Sequence, residues 1–286
     1  MKQDWNVQEL LDWTKNYFVQ NNVAEPRLEA EVLLACALNF DRIGIYVNHD
    51  RPVNEEERIR FREMIKRRVS GEPTAYIVGQ KEFMSLSFSV DGRVLIPRPD
   101  TEILVEEAIR ILRDIEGVVR VADVGTGSGA IAVSIARYVE KAEVKAIDID
   151  PGAIQVAHSN AILHEVEARI DFSVGNLLQP VADAKFHLIA ANLPYIPTDE
   201  MQKLPNEVKN FEPARALDGG PEGVQLYTEL IPQALQCLDE NGYMLMEISD
   251  GRQAKAVAEL LGKEWIEHYI LKDLGGRDRV VAARKR

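Results

Sequence analysis

The chain has 286 residues, long for one domain and comfortable for two, and its 46% apolar content suits a protein with a sizeable core. No window approaches the roughly 18 uninterrupted apolar residues of a membrane span, and the first residues lack the basic-then-apolar layout of a secretion signal, so a cytoplasmic protein is expected. A net charge of −12 weakens a polyanionic partner without excluding one held by a local basic patch, while Cys36 and Cys237 are far apart, show no metal-ligand spacing and read as buried thiols.

Residues 1–73 read as a small helical bundle. Val7, Leu10, Leu11 and Phe18 recur at helical spacing. Leu28, Val32, Leu33, Ala35 and Leu38 do so again after Pro26, which suits a helix's first turn. A third helix is predicted from Asn54 as N-cap through Ile59, Met64, Ile65 and Val69, until Gly71 and Pro73 stop it. It carries Arg58, Arg60, Arg62, Lys66, Arg67 and Arg68. These read either as a solvated face paired with Glu55, Glu56, Glu57 and Glu63, or as a docking surface for an acidic partner. Residues 74–96 are predicted to form a β-hairpin connector. Phe83, Leu86, Phe88, Val90, Val94 and Ile96 lie in short strands there, with Asp91-Gly92 at the turn.

Residues 97–286 read as one α/β domain. In Pro97-Arg98-Pro99-Asp100-Thr101-Glu102, Asp100 or Thr101 can cap a helix that runs to about Leu112. Strands are then predicted at Val118–Val124, Val144–Ile149, Ile170–Val174, Phe186–Ala191 and Tyr243–Ile248. Helices alternate with them at Ala130–Tyr138, Ala153–His164, Gln225–Cys237 and Ala254–Leu261. Such alternation predicts a mainly parallel, Rossmann-like sheet with helices on both faces. The closing strands Trp265–Leu271 and Arg279–Ala283, joined through Gly275-Gly276, imply an antiparallel edge strand.

Three motifs fall at strand ends, where open α/β sheets bind ligands. The first is Asp123-Val124-Gly125-Thr126-Gly127-Ser128-Gly129-Ala130, whose glycines permit a tight turn and bring backbone N–H groups close to a ligand. Gly125, Gly127 and Ala130 also satisfy a dinucleotide pattern, and Asp148, ending the next strand, would hold ribose hydroxyls in either reading. Asp123 favours S-adenosylmethionine over NAD, because an acid near the loop suits ammonium and sulfonium charges. The second is Gly175-Asn176-Leu177, where Asn176 is either a contact for an adenine amino group or a plain turn residue. The third is Asn192-Leu193-Pro194-Tyr195. Its Asn oxygen and the following carbonyl can each accept one N–H of the same amino or amide group, a device that a dehydrogenase would not need.

Together these motifs resemble a class I S-adenosylmethionine-dependent methyltransferase acting on amino groups. Gly71-Glu72-Pro73, Tyr76-Ile77-Val78-Gly79, Phe83 and the run from Val94 to Glu102 narrow the likeness, as do Glu212 to Gly223 and Asp273 to Val281. Over nearly its whole length the chain resembles the release factor glutamine methyltransferase family (HemK/PrmC). The resemblance implies methylation of the side-chain amide nitrogen (N5) of glutamine in the Gly-Gly-Gln motif of bacterial class 1 release factors, with a helical N-terminal domain that helps to recognise them. It implies cofactor contacts at Gly125, Thr126, Gly127, Ser128, Gly129, Asp148, Asn176, Leu177 and Asn192. Glutamine contacts are implied at Asn192, Leu193, Pro194 and Tyr195, with Asn192 and Tyr195 as the catalytic pair and no metal.

The family usually has Pro where this chain has Leu193, and Glu-Ile-Gly where it has Glu247-Ile248-Ser249. The clamp needs only a carbonyl at the first position, so Leu193→Pro is expected to preserve activity. Arg98 and Thr101 read equally as packing and capping residues or as closure over the ligand. Glu212 and Arg215 read as pocket walls or as an internal salt bridge. The histidines are scattered and read as structural. The rival reading is an N-methyltransferase acting on DNA adenine or rRNA guanine, against which stand the acidic balance and the lack of a basic appended domain.

Overall fold

The computed structural model describes residues 5–286, which fold as two compact units. One holds the chain up to Gly79 together with Pro205–Phe211. The other holds Gln80–Leu204 and Glu212–Arg286.

The first unit is helical: α1 (Val7–Gln20), α2 (Pro26–Leu38), α3 (Arg42–Val47), α4 (Glu55–Val69) and α5 (Thr74–Val78). Asn6 opens α1 and Asn54 opens α4 with reciprocal capping boxes to Glu9 and Glu57. The α4 helix places Glu55, Glu56 and Glu57 in its first turn and Lys66, Arg67 and Arg68 in its last, the arrangement that its dipole favours. The buried faces join Val7, Leu10, Phe18, Leu33, Leu34, Phe61 and Ile65 in one core. Leu28 and Ile59, expected inside, are exposed. The short α3 was not expected, since six residues give too little periodicity. Its signal is Asp41, whose side chain accepts the Gly44 N–H. Nor is the basic stretch uniformly a solvated face. Arg68 is buried, paired with Glu29 at 2.9 Å and with Glu207 at 3.1 Å, and Glu57 pairs with Arg51 rather than with a neighbour on its helix.

The stretch expected as a hairpin connector begins instead with α5. The hairpin proper is β1 (Gln80–Phe83) and β2 (Leu86–Ser89). Its turn is Met84-Ser85, both with positive φ (50° and 57°), and not Asp91-Gly92. Two-residue hairpins favour this handedness because it matches strand twist, yet the Asn-Gly signal that usually announces it is missing here. Val94 and Ile96 are buried without being in strands.

The second unit continues with α6 (Glu102–Arg113), β3 (Val119–Val124), α7 (Ala130–Tyr138), β4 (Ala142–Asp148), α8 (Pro151–Leu163), β5 (Ile170–Val174) and β6 (Phe186–Ala191). Helix α9 (Asn206–Phe211) belongs to the helical unit. The chain then returns through α10 (Gln225–Cys237), β7 (Leu238–Glu247), α11 (Gly251–Leu260), β8 (Trp265–Lys272) and β9 (Asp278–Lys285). Among the described residues the main sheet runs β5-β4-β3-β6-β7-β9-β8, parallel from β5 to β7. The antiparallel strand is β9, which lies one place in from the edge. Val280 to Ala283 are wholly buried whereas β8 exposes most of its side chains, so burial puts β9 inside and β8 outside.

Successive residues of the central strands feed opposite faces. Val121, Leu188 and Ala190 pack under α6 and α7, while Ala122, Ile189 and Ala191 pack under α10 and α11. Each large apolar side chain so buried contributes about 1.5–3 kcal/mol, which lets the sheet hold tight, unfavourable turns at its ends. The strand order reverses beside β3, so a crevice forms at the C-terminal ends of β3 and β6.

Candidate active site

A cavity of about 700 Å³ occupies that crevice, within the size range of small-molecule sites. Gly125, Thr126, Gly127, Ser128, Asp148, Asn176, Leu177, Asn192, Leu193 and Pro194 all line it. Gly129 and Tyr195 do not. Gly129 caps α7, and Tyr195 turns its carbonyl to Gln253, whose Nε2 donates to it at 2.6 Å. Burial, then the nearby Glu247 charge, holds the Tyr195 phenol well above its ordinary pKa, so it is a neutral hydroxyl.

The loop after β3 is shaped by backbone bonds. Gly125 and Thr126 both donate to the Ile147 carbonyl, at 2.8 and 3.0 Å. Gly125 has φ +77°, and a Cβ there would lie 2.9 Å from the Leu193 side chain. Only glycine lets the loop meet the Asn192-Leu193 turn this closely.

Asp123 is not the ligand-facing acid that the sequence suggested. It is fully buried, and its Oδ2 accepts from the Thr126 hydroxyl at 2.7 Å and from the Ala132 N–H at 3.0 Å. It therefore ties the loop to the start of α7, and burial pushes its carboxyl up to about 7. The folded carboxyl keeps its proton to about pH 7, whereas its ordinary value is 3.8. A raised folded pKa means that the native state binds the extra proton. Stability from this group is thus present at low pH and is lost as pH rises through that window. Asp123→Asn is expected to gain melting temperature relative to the wild type between about pH 4 and 7. Parallel melting curves for the two proteins would disprove this.

Asp148 is the acid that faces the cavity. Its two oxygens accept the Gly127 and Asp150 N–H groups, each at 2.9 Å, so its position is fixed while lone pairs remain for a ligand. Burial raises its pKa, against the opposing pull of those N–H groups and Arg215. The arginines that line the cavity are all paired: Arg93 with Asp91, Arg98 with Glu212 and Arg215 with Asp150. Glu212 is buried and also accepts the Ile96 N–H at 3.3 Å, so Glu212 and Arg215 are each in a salt bridge, but with Arg98 and Asp150 respectively.

Asn192 ends β6. Its Nδ2 donates to the Thr101 hydroxyl at 3.0 Å, and Thr101 makes no helix-capping bond. Both side chains hydrogen-bond the carboxylate of Glu247, the last residue of β7. Glu247 and Thr101 went unread as partners of Asn192 because they lie far away in sequence. So did Asn160, buried on α8, which donates to the Ser128 carbonyl at 2.8 Å and exchanges two bonds with Ser89. The signal for Asn160 was an amide amid the alanines of an otherwise apolar helix face.

Among the described residues no cluster of His, Cys, Asp and Glu could hold a metal ion, and no helix is long and apolar enough to cross a membrane.

Residues 9–79 match the family model described as PrmC N-terminal domain, and residues 101–208 the one described as methyltransferase small domain. A solved methyltransferase from Pyrococcus furiosus shares the fold, with a TM-score of 0.52 at 17% identity over 72% of this chain and 91% of that one. The release factor glutamine methyltransferase of Geobacter sulfurreducens is 41% identical over 98% of this chain and 97% of its own length. The enzyme of that name from Rhodopirellula baltica is 39% identical, with the same coverage of both chains. Likeness at this level through helical and α/β units alike makes the chain a member of the release factor glutamine methyltransferase family.

Proposed function

We propose that the chain methylates, in the cytoplasm, the side-chain amide nitrogen of the glutamine in the Gly-Gly-Gln motif of class 1 release factors, using S-adenosylmethionine. The observation that carries this reading is the turn of the Asn192 side chain. Its NH₂ end is tied back to Thr101 and Glu247, which leaves its oxygen, with the Leu193 carbonyl, to accept the two hydrogens of a substrate amide.

The lining residues suit the cofactor. Asp148 can accept ribose hydroxyls, and Asn176 and Leu177 at the end of β5 can border the adenine. Each cavity arginine is already paired with a carboxylate, so none is dedicated to the phosphates of a dinucleotide. When bound, S-adenosylmethionine supplies an electrophilic methyl whose leaving group is a neutral thioether.

The protein's task is orientation. An amide nitrogen is a weak nucleophile because its lone pair is delocalised into the carbonyl. Two acceptors that hold both N–H groups fix the nitrogen in line, and alignment of this kind can supply up to roughly 7–11 kcal/mol. They also stabilise the positive charge that grows on nitrogen as the N–C bond forms. The nitrogen's surplus proton becomes acidic only then, so no strong base is required beforehand.

The test is the mass of an intact release factor after incubation with S-adenosylmethionine. One methyl on the Gly-Gly-Gln glutamine is expected, with none on a Gln-to-Ala variant of that motif and none on DNA or RNA. Methylation that persists in the variant would overturn the reading.

Leu193 adds a contact that the usual proline lacks. Its N–H hydrogen-bonds the buried Tyr227 hydroxyl, which donates onward to the Glu247 carbonyl at 2.6 Å. Leu193→Pro keeps the carbonyl but loses this bond and buried leucine atoms. We expect detectable turnover together with a melting temperature lowered by roughly 1–3 kcal/mol of lost stability. A variant melting like the wild type would show that the Tyr227 contact contributes nothing.

A further inference from the structure

Glu247, the last residue of β7, is 1% exposed. Its carboxylate is bonded by Thr101 and by Asn192, and its Oε2 has no partner. Its backbone carbonyl is separately held by Tyr227. An asparagine amide is nearly symmetric in shape, so packing alone does not distinguish its oxygen from its nitrogen. Its hydrogen-bond partners must do so. An ionised carboxylate accepts and cannot donate. It therefore attracts the NH₂ end of Asn192 and repels the oxygen end. Thr101 acts in the same sense, because a hydroxyl whose hydrogen points to Glu247 is left with lone pairs for the Asn192 N–H.

We propose that Glu247, acting with Thr101, is a positioning residue that decides which end of the Asn192 amide faces the substrate. This deepens the methyl-transfer reading and rests on it. The groups facing Glu247 are Asp100 and Thr101 ahead of α6, Asn192 and Tyr195 after β6, Tyr227 on α10 and Arg279 on β9. Burial is the largest influence on its carboxyl, followed by the opposing pull of Thr101 and the push of Asp100. Arg279 and Asn192 add smaller lowering contributions, and the result stands at about 7. Arg279 is shared with Asp100 at 3.0 Å and Asp273 at 3.1 Å, which limits what it offers Glu247. Below that pH a protonated Glu247 can donate to the Asn192 oxygen and draw it inward, away from the substrate.

The experiment compares the wild type, Glu247→Gln, Thr101→Val and Thr101→Ser, with intact release factor and S-adenosylmethionine, across the neutral pH range. S-adenosylhomocysteine binding is measured alongside as a control on folding. The wild-type kcat is expected to rise with pH through about 7. Glu247→Gln should flatten that rise and lower kcat by about a hundred-fold, the scale of misplacing a reacting group by an ångström. Thr101→Val should lower kcat while S-adenosylhomocysteine still binds, and Thr101→Ser should restore it. Wild-type kcat and pH profile in both Glu247→Gln and Thr101→Val would overturn the proposal, as would a Thr101→Ser variant as impaired as Thr101→Val. An inactive wild type would overturn the methyl-transfer reading itself, and the proposal with it.

Discussion

Asn192→Ala is expected to lower kcat by about 10²–10³, the cost of removing one preorganised group that stabilises charge in a transition state. The substrate amide would keep one acceptor, the Leu193 carbonyl, and could pivot about it. Alanine also leaves Thr101 and Glu247 bonded to each other with no amide to hold, so the loss falls on the acceptor rather than on the surrounding fold. The cofactor's expected partners, Asp148 and the Gly125–Gly129 loop, keep their own hydrogen bonds. S-adenosylhomocysteine should therefore bind with only moderately reduced affinity. Single-turnover methyl transfer with calorimetric binding separates the two quantities. If the variant turns over at the wild-type rate, or fails to bind S-adenosylhomocysteine at all, the clamp is wrongly assigned.

Gly223→Ala should be nearly as damaging from outside the cavity. Gly223 has φ +71°, and a Cβ there would sit 2.2 Å from the Tyr195 carbonyl oxygen and 2.5 Å from Gln253 Nε2. The backbone cannot yield without breaking the Gln253–Tyr195 bond, which holds the far end of the Asn192–Tyr195 turn. A shift of about an ångström in that turn is enough for a loss of roughly 10² in kcat. The left-handed backbone adds a stability cost of about 1–2 kcal/mol. The variant should fold, melt earlier and still bind S-adenosylhomocysteine. An unchanged kcat in a variant that melts earlier would mean that the turn tolerates displacement.

The α/β unit was largely legible because its strands carry long apolar runs. Phe186–Ala191 and Ile170–Val174 came out with the predicted ends, the first as an almost wholly buried apolar run and the second as the apolar–polar alternation of Ile-Asp-Phe-Ser-Val on an edge strand. The turn ending β6 was legible for a related reason: Asn-Leu-Pro-Tyr interrupts apolar sequence where a parallel strand must stop. What sequence did not disclose depends on direction or on distance along the chain. Asp123 was recognisable as an acid beside the loop, but not as one pointing inward to Thr126 and Ala132. Thr101 looked like a cap because threonine often is one, and the preference yielded to a partner 91 residues away. The hairpin turn was misplaced because Met84 and Ser85 adopt a backbone usually left to glycine and asparagine, while Asp91-Gly92 advertises a turn that joins no strands.

Helix α9 bears on how this protein could be taken apart or recombined. Its residues lie 127 or more positions beyond Gly79, yet they complete the helical unit, where Glu207 answers the buried Arg68 and Phe211 lies beside Gly71. The unit is therefore not a contiguous cassette. A chimera that exchanges only the first 79 residues would bring in a foreign helical core while keeping the native α9. Whatever residue the incoming core carries at position 68 would then face the native Glu207. Exchanging an intact helical unit between relatives should require Pro205–Phe211 to travel with the N-terminal helices as a second, matched graft.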